Sequence, residues 1–275
     1  MLSKRIRNIA PSATLAIDAK AKQLKKEGKD VVIFGAGEPD FNTPENIKQA
    51  AKKAIDNNVT RYTPVGGMPE LKKAVADKFR NFNKISYDAS EIMIGCGGKH
   101  VLYNAMMAVL EKGGEAILPV PYWVSFEEMI KLAEAKAVFC ETDRNFRLTA
   151  ENVEAKITKK TKLLVLNSPS NPSGAIIEPS EIRKIAKLAV ENNFFVISDE
   201  VYEYFTYGKE HLSIASLNDE IKNLAITCNS VSKTYAMTGW RIGYCGANKE
   251  IIKAMDNLQS HSTSNPSNIS QMAAL

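Results

Sequence analysis

Phe-Phe-Val-Ile-Ser-Asp-Glu-Val-Tyr, residues 194–202, combines an apolar run of strand length with two acidic residues directly after it. Similar apolar runs recur along the chain and alternate with segments of helical periodicity. One such helix is expected to open at Pro179 and to carry an apolar stripe of Ile182, Ile185, Ala186 and Ala189. The predicted strands are residues 91–95, 115–118, 137–140, 162–166, 194–198 and 223–227. This alternation predicts an α/β fold with three α/β/α layers and a mostly parallel sheet.

The first forty residues follow a different pattern. A helix is expected over residues 13–27, followed by a short apolar strand at residues 31–34. Residues 1–42 are therefore expected to form an N-terminal arm with a segment of a small domain, and residues 43–275 the large domain. Thr43 is expected to cap the next helix.

Composition excludes several classes of protein. The chain has 275 residues, 44% of them hydrophobic, which is enough for a large core. Its net charge of +5 includes no block of like charges, so nucleic-acid binding is not expected, whereas small anionic ligands are compatible with it. The four cysteines form neither a CxxC pair nor a cluster with histidine, so neither a metal nor a disulfide is expected. No apolar run reaches the roughly 18 residues of a membrane helix, and no signal peptide is recognised, so the expected location is the cytoplasm.

The segment Ser-Val-Ser-Lys-Thr-Tyr-Ala-Met-Thr-Gly-Trp-Arg, residues 230–241, carries a candidate reactive group. It places Lys233 between hydroxyl side chains and eight residues before Arg241. A lysine amine in this setting can form a Schiff base with an aldehyde, while Ser230 and Arg241 bind a phosphate. Pyridoxal 5'-phosphate (PLP) would account for all three residues. The simpler alternative is a solvated lysine beside an arginine that caps a helix or forms a salt bridge.

Further candidates follow the predicted strands, where open parallel sheets bind ligands. Residues 95–99, Gly-Cys-Gly-Gly-Lys, enter a helix and offer N–H groups to a phosphate, although a plain tight turn has the same sequence. Asn171, within Asn-Pro-Ser-Gly, either donates to a cofactor oxygen or forms an Asx turn. Asp199 and Tyr202 follow the fifth strand. An acid at the end of so apolar a strand needs a cationic partner, which a pyridinium N–H supplies.

Taken together, these motifs resemble those of the class I and II aminotransferases, which are fold-type I PLP enzymes. The resemblance covers essentially the whole chain. It rests on seven segments in order: Gly-Glu-Pro-Asp-Phe at 37–41, Arg-Tyr-Thr-Pro with Gly-Gly at 61–67, the glycine turn before Lys99, Pro-Tyr-Trp at 121–123, Asn-Pro-Ser-Gly at 171–174, Ser-Asp-Glu-Val-Tyr at 198–202, and the lysine segment.

The resemblance implies a role for each residue around the cofactor ring. Lys233 would hold PLP as a Schiff base and act as the general base. Asp199 would keep the ring nitrogen protonated. Asn171 and Tyr202 would bond the phenolic oxygen, and Trp123 would stack on the ring.

The same resemblance implies a phosphate site and a second subunit. The phosphate would lie among the N–H groups of Gly98 and Lys99, the Ser230 hydroxyl and the Arg241 guanidinium. Tyr62 would reach this phosphate from a partner subunit, which implies a homodimer.

Substrate specificity is expected from Lys99. In bacterial-type aspartate aminotransferases, which the chain also resembles at residues 11–14, a lysine at this place binds the distal carboxylate of the substrate. The implied substrates are aspartate or glutamate with 2-oxoglutarate or oxaloacetate, bound by Gly37, Lys99, Trp123 and Asn171. Lys99 could instead line an electropositive pocket or assist the phosphate. Aromatic or prephenate substrates, decarboxylation and C–S cleavage stay open as alternatives.

The end of the chain departs from the family pattern. A new helix is expected to begin at residues 265–268, shortly before Leu275. Family members continue through a C-terminal small domain with an arginine that binds the substrate α-carboxylate, and no residue here matches it. A truncated chain, with that domain largely absent, is therefore expected to bind PLP yet to turn over poorly. A catalytically silent binding or dimerisation module is the alternative from another functional class.

Overall fold

A seven-stranded sheet forms the centre of the molecule in the computed structural model, which describes residues 2–33, 35 and 37–275. The strands are β1 (Ile92–Gly95), β2 (Glu115–Val120), β3 (Lys136–Glu141), β4 (Thr161–Asn167), β5 (Phe195–Asp199), β6 (Ala225–Ser230) and β7 (Gly243–Gly246). Their order across the sheet is β1-β7-β6-β5-β4-β2-β3. Strands β3, β2, β4, β5 and β6 pair in parallel, which confirms the mostly parallel sheet.

One edge of the sheet differs from the sequence prediction. Strand β7 was not predicted, and it pairs antiparallel with both β1 and β6. The sixth predicted strand, residues 223–227, begins too early, because residues Asp219–Leu224 form a helix and the strand covers Ala225–Ser230.

Helices cover both faces of the sheet. They are α1 (Lys4–Arg7), α2 (Ala13–Lys26), α3 (Glu45–Asp56), α4 (Pro69–Lys78), α5 (Gly98–Val109), α6 (Ser125–Leu132), α7 (Ala150–Glu154), α8 (Pro179–Asn192), α9 (Asp219–Leu224), α10 (Val231–Thr234), α11 (Lys249–Ser260) and α12 (Asn268–Ala274). The π-helical turn Phe79–Asn83 extends α4, and short 3-10 turns occupy Ala89–Glu91, Ile214–Ser216 and Thr238–Trp240. Helix α12 confirms the new helix expected near the chain end.

Two hydrophobic cores lie on opposite faces of the sheet, because successive side chains of a strand point to opposite sides. In β5, Val196 belongs to the core beneath α3, α4 and α8, whereas Ile197 belongs to the core beneath α5, α6 and α11. The predicted apolar stripe of α8 is buried, including Ile182 and Ile185. The three-layer α/β/α architecture is thereby confirmed.

The N-terminal region fits the prediction in part. The expected helix is α2. The expected strand at residues 31–34 is wrong for residues 31–33, which pair with no other strand, and Val32 is exposed; position 34 lies outside the described residues. Thr43 does not cap α3, because its hydroxyl donates to the Ala236 carbonyl at 2.6 Å instead.

In the described ranges, no helix combines the length and apolar composition that crossing a membrane requires.

Candidate active site

A cavity of about 200 Å³ opens where β4, β5 and β6 end and α5 begins. Parallel strands bring their carboxyl ends to one edge, so residues far apart in sequence meet there. Nine of the ten residues predicted to contact a cofactor line this cavity: Gly98, Lys99, Trp123, Asn171, Asp199, Tyr202, Ser230, Lys233 and Arg241.

Asp199 supplies a buried acid at the end of β5. Its side chain accepts one hydrogen bond, from the Val201 backbone N–H to Oδ1 at 3.3 Å. The residue is 6% exposed, and no cationic side chain among the described residues forms a salt bridge with it. Burial raises the pKa of Asp199 to about 7. Such a carboxyl group can accept a protonated ring nitrogen as its partner.

Asn171 and Tyr202 lie together on the same side of the cavity. Asn171 Nδ2 donates to the Tyr202 hydroxyl at 3.5 Å. The Asn171 backbone N–H binds Asn167 Oδ1 at 2.6 Å, and Asn167 Nδ2 binds the Asp199 carbonyl at 3.1 Å, so the turn after β4 is fixed against the end of β5. Burial, followed by the nearby Asp199, raises the pKa of Tyr202 and keeps it a hydrogen-bond donor.

A second group of residues is suited to an anion. Helix α5 begins at Gly98, after Gly97 with φ 90°, and the first N–H groups of a helix have no acceptor within it. Arg241 packs directly on this turn, since a Cβ on Gly97 would lie 2.2 Å from Arg241 Nη2. Ser230 lies beside the same turn, with its Cβ 3.2 Å from the position of a Cβ on Gly98.

Positive charge exceeds negative charge in the cavity. Lys99, Lys233 and Arg241 form no salt bridge in the part of the chain that the structure describes. Lys233 Nζ donates to the Gly37 carbonyl, and partial burial lowers the pKa of Lys233. Partial burial and then Arg241 lower the pKa of Lys99. Three cations opposite one buried acid match an aromatic aldehyde phosphate whose ring nitrogen is protonated, and PLP has this chemistry.

Two predicted residues lie outside the cavity lining. Tyr62 is 92% exposed and does not line the cavity. Gly37 is not a lining residue either, but its carbonyl accepts the hydrogen bond from Lys233. Sequence reasoning missed Asn167 and Asn229, which line the cavity at the ends of β4 and β6. The signal that could have identified these two residues in the sequence was their position at the end of a strand.

The sequence model of the family described as Aminotransferase class I and II matches residues 29–275. The chain belongs to this family. It is thus a PLP-dependent aminotransferase, as its motifs indicated, and the cofactor prediction is confirmed.

Individual relatives agree on the same class of enzyme. Aspartate aminotransferase of Bacillus sp. (strain YM-2) is 49% identical over the whole chain, which covers 71% of that protein. A probable aspartate/prephenate aminotransferase of Rickettsia conorii is also 49% identical, with 70% of that protein covered. The structure of aspartate aminotransferase from Thermus thermophilus with maleate has a TM-score of 0.96 and 44% identity, covering 99% of this chain and 71% of that one.

Proposed function

We propose that this aminotransferase exchanges an amino group between aspartate or glutamate and 2-oxoglutarate or oxaloacetate. The relatives named aspartate aminotransferase support an acidic amino acid as the substrate. The observation that carries the proposal is the position of Lys99.

Lys99 presents an exposed cation in the lining of the cavity. Its Nζ lies 4.9 Å from the centroid of the Trp123 ring, and no salt bridge engages it within residues 2–33, 35 and 37–275. Trp123 is the residue proposed to stack on the cofactor, so Lys99 lies beside the reacting centre. The distal carboxylate of aspartate or glutamate would provide the missing anionic partner.

Lys233 is proposed as the reactive amine. Its lowered pKa increases the fraction of neutral amine, the form that would hold the cofactor aldehyde and that, once released, would accept a proton from the substrate α-carbon. PLP supplies an electron sink for the negative charge that develops at that carbon. Gly37, whose carbonyl holds Lys233, is proposed to lie against the substrate carboxylate.

The remaining cavity residues are proposed to bind the cofactor. Asp199 pairs with the ring nitrogen, and Asn171 and Tyr202 donate to the phenolic oxygen. The phosphate binds the N–H groups of Gly98 and Lys99, the Ser230 hydroxyl and the Arg241 guanidinium. Tyr62 is proposed to complete the phosphate site of a partner subunit in a homodimer.

Prephenate is a second candidate acceptor. The Rickettsia conorii relative carries this substrate in its name, and prephenate has a carboxylate besides the one of its 2-oxo acid group. Lys99 can bind that additional carboxylate as it binds that of aspartate. The proposed role of Lys99 is therefore the same for both substrates.

Lys99→Met tests the substrate assignment, because methionine keeps most of the side-chain length and removes the charge. We expect kcat/KM for aspartate to fall by about 10- to 100-fold, the effect of losing one charge-assisted pair. The value for phenylalanine should change by less than about threefold. Steady-state assays with both amino donors measure the difference. Equal losses for the two donors would refute an acidic preference set by Lys99.

A further inference from the structure

Asn229 connects three residues at the edge of the cavity. It lies in β6 directly before Ser230, lines the cavity and is 2% exposed. Its Oδ1 accepts the Ser230 backbone N–H at 2.7 Å. Its Nδ2 donates to the Glu200 carbonyl at 3.1 Å and to Glu203 Oε1 at 2.8 Å. Both donor hydrogens and the acceptor of this amide are therefore engaged.

The partners of Asn229 belong to the two ends of the proposed cofactor site. Ser230 is assigned to the phosphate. Glu200 directly follows Asp199, which is assigned to the ring nitrogen, and Glu203 directly follows Tyr202, which is assigned to the phenolic oxygen. A single amide thus joins the β6 end to the turn that carries both ring contacts.

Glu203 provides a fixed anchor for this amide. Its carboxylate is buried, forms a salt bridge with Lys78 and accepts from Asn83 Nδ2 at 2.7 Å. Asn83 Oδ1 in turn accepts from Lys78 Nζ at 2.8 Å, so the buried charges are paired and hydrogen-bonded. A polar network with all of its members satisfied restricts movement of the groups bonded to it.

We propose that Asn229 is a positioning residue that holds Ser230 at the distance from the Asp199–Tyr202 turn that the length of PLP requires. The inference rests on the proposed function, since it takes Ser230 as a phosphate contact. Asn229 acts through the Ser230 backbone N–H. Removing its side chain removes one of the hydrogen bonds that fix Ser230, alongside those to Ser232 and the pairing with β7. Ser230 could then shift slightly relative to the glycine turn, and the phosphate would lose a well-placed donor.

The test measures the affinity of the cofactor-free protein for PLP and for pyridoxal, which lacks the phosphate. We expect Asn229→Ala to lower the ratio of the PLP affinity to the pyridoxal affinity by about tenfold, the effect of one hydrogen bond to a charged group. Quenching of tryptophan fluorescence during titration gives both affinities. Asn229→Ser, which leaves a hydroxyl to bind the buried Glu203 carboxylate, is measured in parallel and should lower the ratio similarly if Asn229→Ala fails to fold.

Asn83→Ala is the matched control. Asn83 is a buried asparagine that binds the Glu203 carboxylate, as Asn229 does, and also the Glu200 carboxylate, but it forms no hydrogen bond with Ser230 among the described residues. We expect it to lower the melting temperature while leaving the affinity ratio within about twofold. Equal changes of the affinity ratio in Asn83→Ala and Asn229→Ala would overturn the proposal. An unchanged ratio in both Asn229→Ala and Asn229→Ser would overturn it as well.

Ser230→Ala separates this inference from the proposed function. A lowered ratio in Ser230→Ala with an unchanged ratio in Asn229→Ala would reject only the positioning role. An unchanged ratio in Ser230→Ala would reject the phosphate assignment itself, and the positioning role with it.

Discussion

At the scale of single residues, Asp199 is an acid whose ionisation would depend on the cofactor if it pairs with the ring nitrogen as proposed. The carboxyl group is buried and, as far as the described residues show, lacks a cationic neighbour, so its pKa rises to about 7. A protonated ring nitrogen would lower that pKa again, because an opposite charge favours the carboxylate. Under the proposed pairing, cofactor binding and the charge of Asp199 would therefore be coupled.

The raised pKa of Asp199 predicts a pH dependence of stability in the cofactor-free protein. The pKa of Asp199 in the folded protein lies above the ordinary aspartate value of 3.8, so between these two values the folded state holds a proton that the unfolded state has lost. Stability contributed by this group therefore falls as pH rises from about 4 to about 7. We expect the melting temperature of wild type to fall relative to that of Asp199→Asn over this range.

Asparagine is a suitable comparison because it keeps the shape of aspartate and cannot ionise. The other titrating groups contribute alike to both proteins and cancel in the difference between their melting temperatures. Saturating PLP should abolish the trend for wild type, since the carboxylate then has a cationic partner. If, without cofactor, the melting temperatures of wild type and Asp199→Asn changed equally with pH, the result would contradict the burial of an unpaired acid at position 199.

At the scale of secondary-structure elements, the parallel strands could be predicted, and the antiparallel strand could not. Strands such as β4 and β5 are continuous apolar runs because both of their faces are covered. Strand β7 has only four residues, Gly-Tyr-Cys-Gly, and two of them are glycines. No periodicity is detectable in so short a segment, and only its partners β1 and β6 identify it as a strand.

The candidate site was predictable for the same reason. Asn171, Asp199 and Ser230 each lie at or just after the end of a parallel strand, and the sheet brings those ends together. The side-chain partners could not be predicted. Thr43, for example, binds Ala236, which is 193 positions away, and local capping rules do not include such contacts.

The close packing of β7 on the glycine turn before α5 predicts the effect of a substitution at Gly243. Gly243 packs against this turn so closely that a Cβ would lie 2.3 Å from both Gly97 C and Gly98 N. Because these are backbone atoms, they cannot rotate away. We expect Gly243→Ala to lower the free energy of unfolding by about 1–3 kcal/mol or more and to weaken PLP binding. Urea denaturation and cofactor titration measure the two effects.

Gly239→Ala is the matched control for this substitution. A Cβ at Gly239 would meet no atom within 4 Å, and the residue lies in the lysine segment, residues 230–241, as Arg241 does. The free energy of unfolding of Gly239→Ala should differ from that of wild type by less than about 1 kcal/mol. If the two alanine variants had the same stability, close packing of β7 on the turn would not explain the glycine at position 243.

At the scale of the whole molecule, Tyr62 is the predicted cofactor contact that lies outside the cavity of its own chain. Its side chain is 92% exposed, yet its loop is held in place. Asn268 Nδ2 donates to the Arg61 carbonyl, and Gln271 Nε2 binds the Thr63 hydroxyl at 3.3 Å. A well-anchored loop that presents a tyrosine to the outside is suited to a contact with a second copy of the chain.

Mixed dimers test this arrangement. If Tyr62 completes the site of its partner, a two-fold dimer contains two sites, each with Lys233 from one subunit and Tyr62 from the other. We expect Tyr62→Ala to weaken PLP binding by about tenfold and Lys233→Ala to abolish covalent attachment. A mixed dimer of the two variants has one site in which both residues are native. Tight covalent PLP binding should therefore return at one site per dimer, measured by borohydride reduction and mass spectrometry after titration.

A contribution of Tyr62 within its own subunit gives a different result, because every site of the mixed dimer would then contain one substituted residue. In that case mixing would restore no tight site. Tyr207→Ala is the matched control, since Tyr207 is 93% exposed and lies outside the cavity lining. It should bind PLP with wild-type affinity in pure and mixed dimers. Co-expression with two different affinity tags isolates the mixed species, so its single restored site can be counted directly against the two sites of wild type.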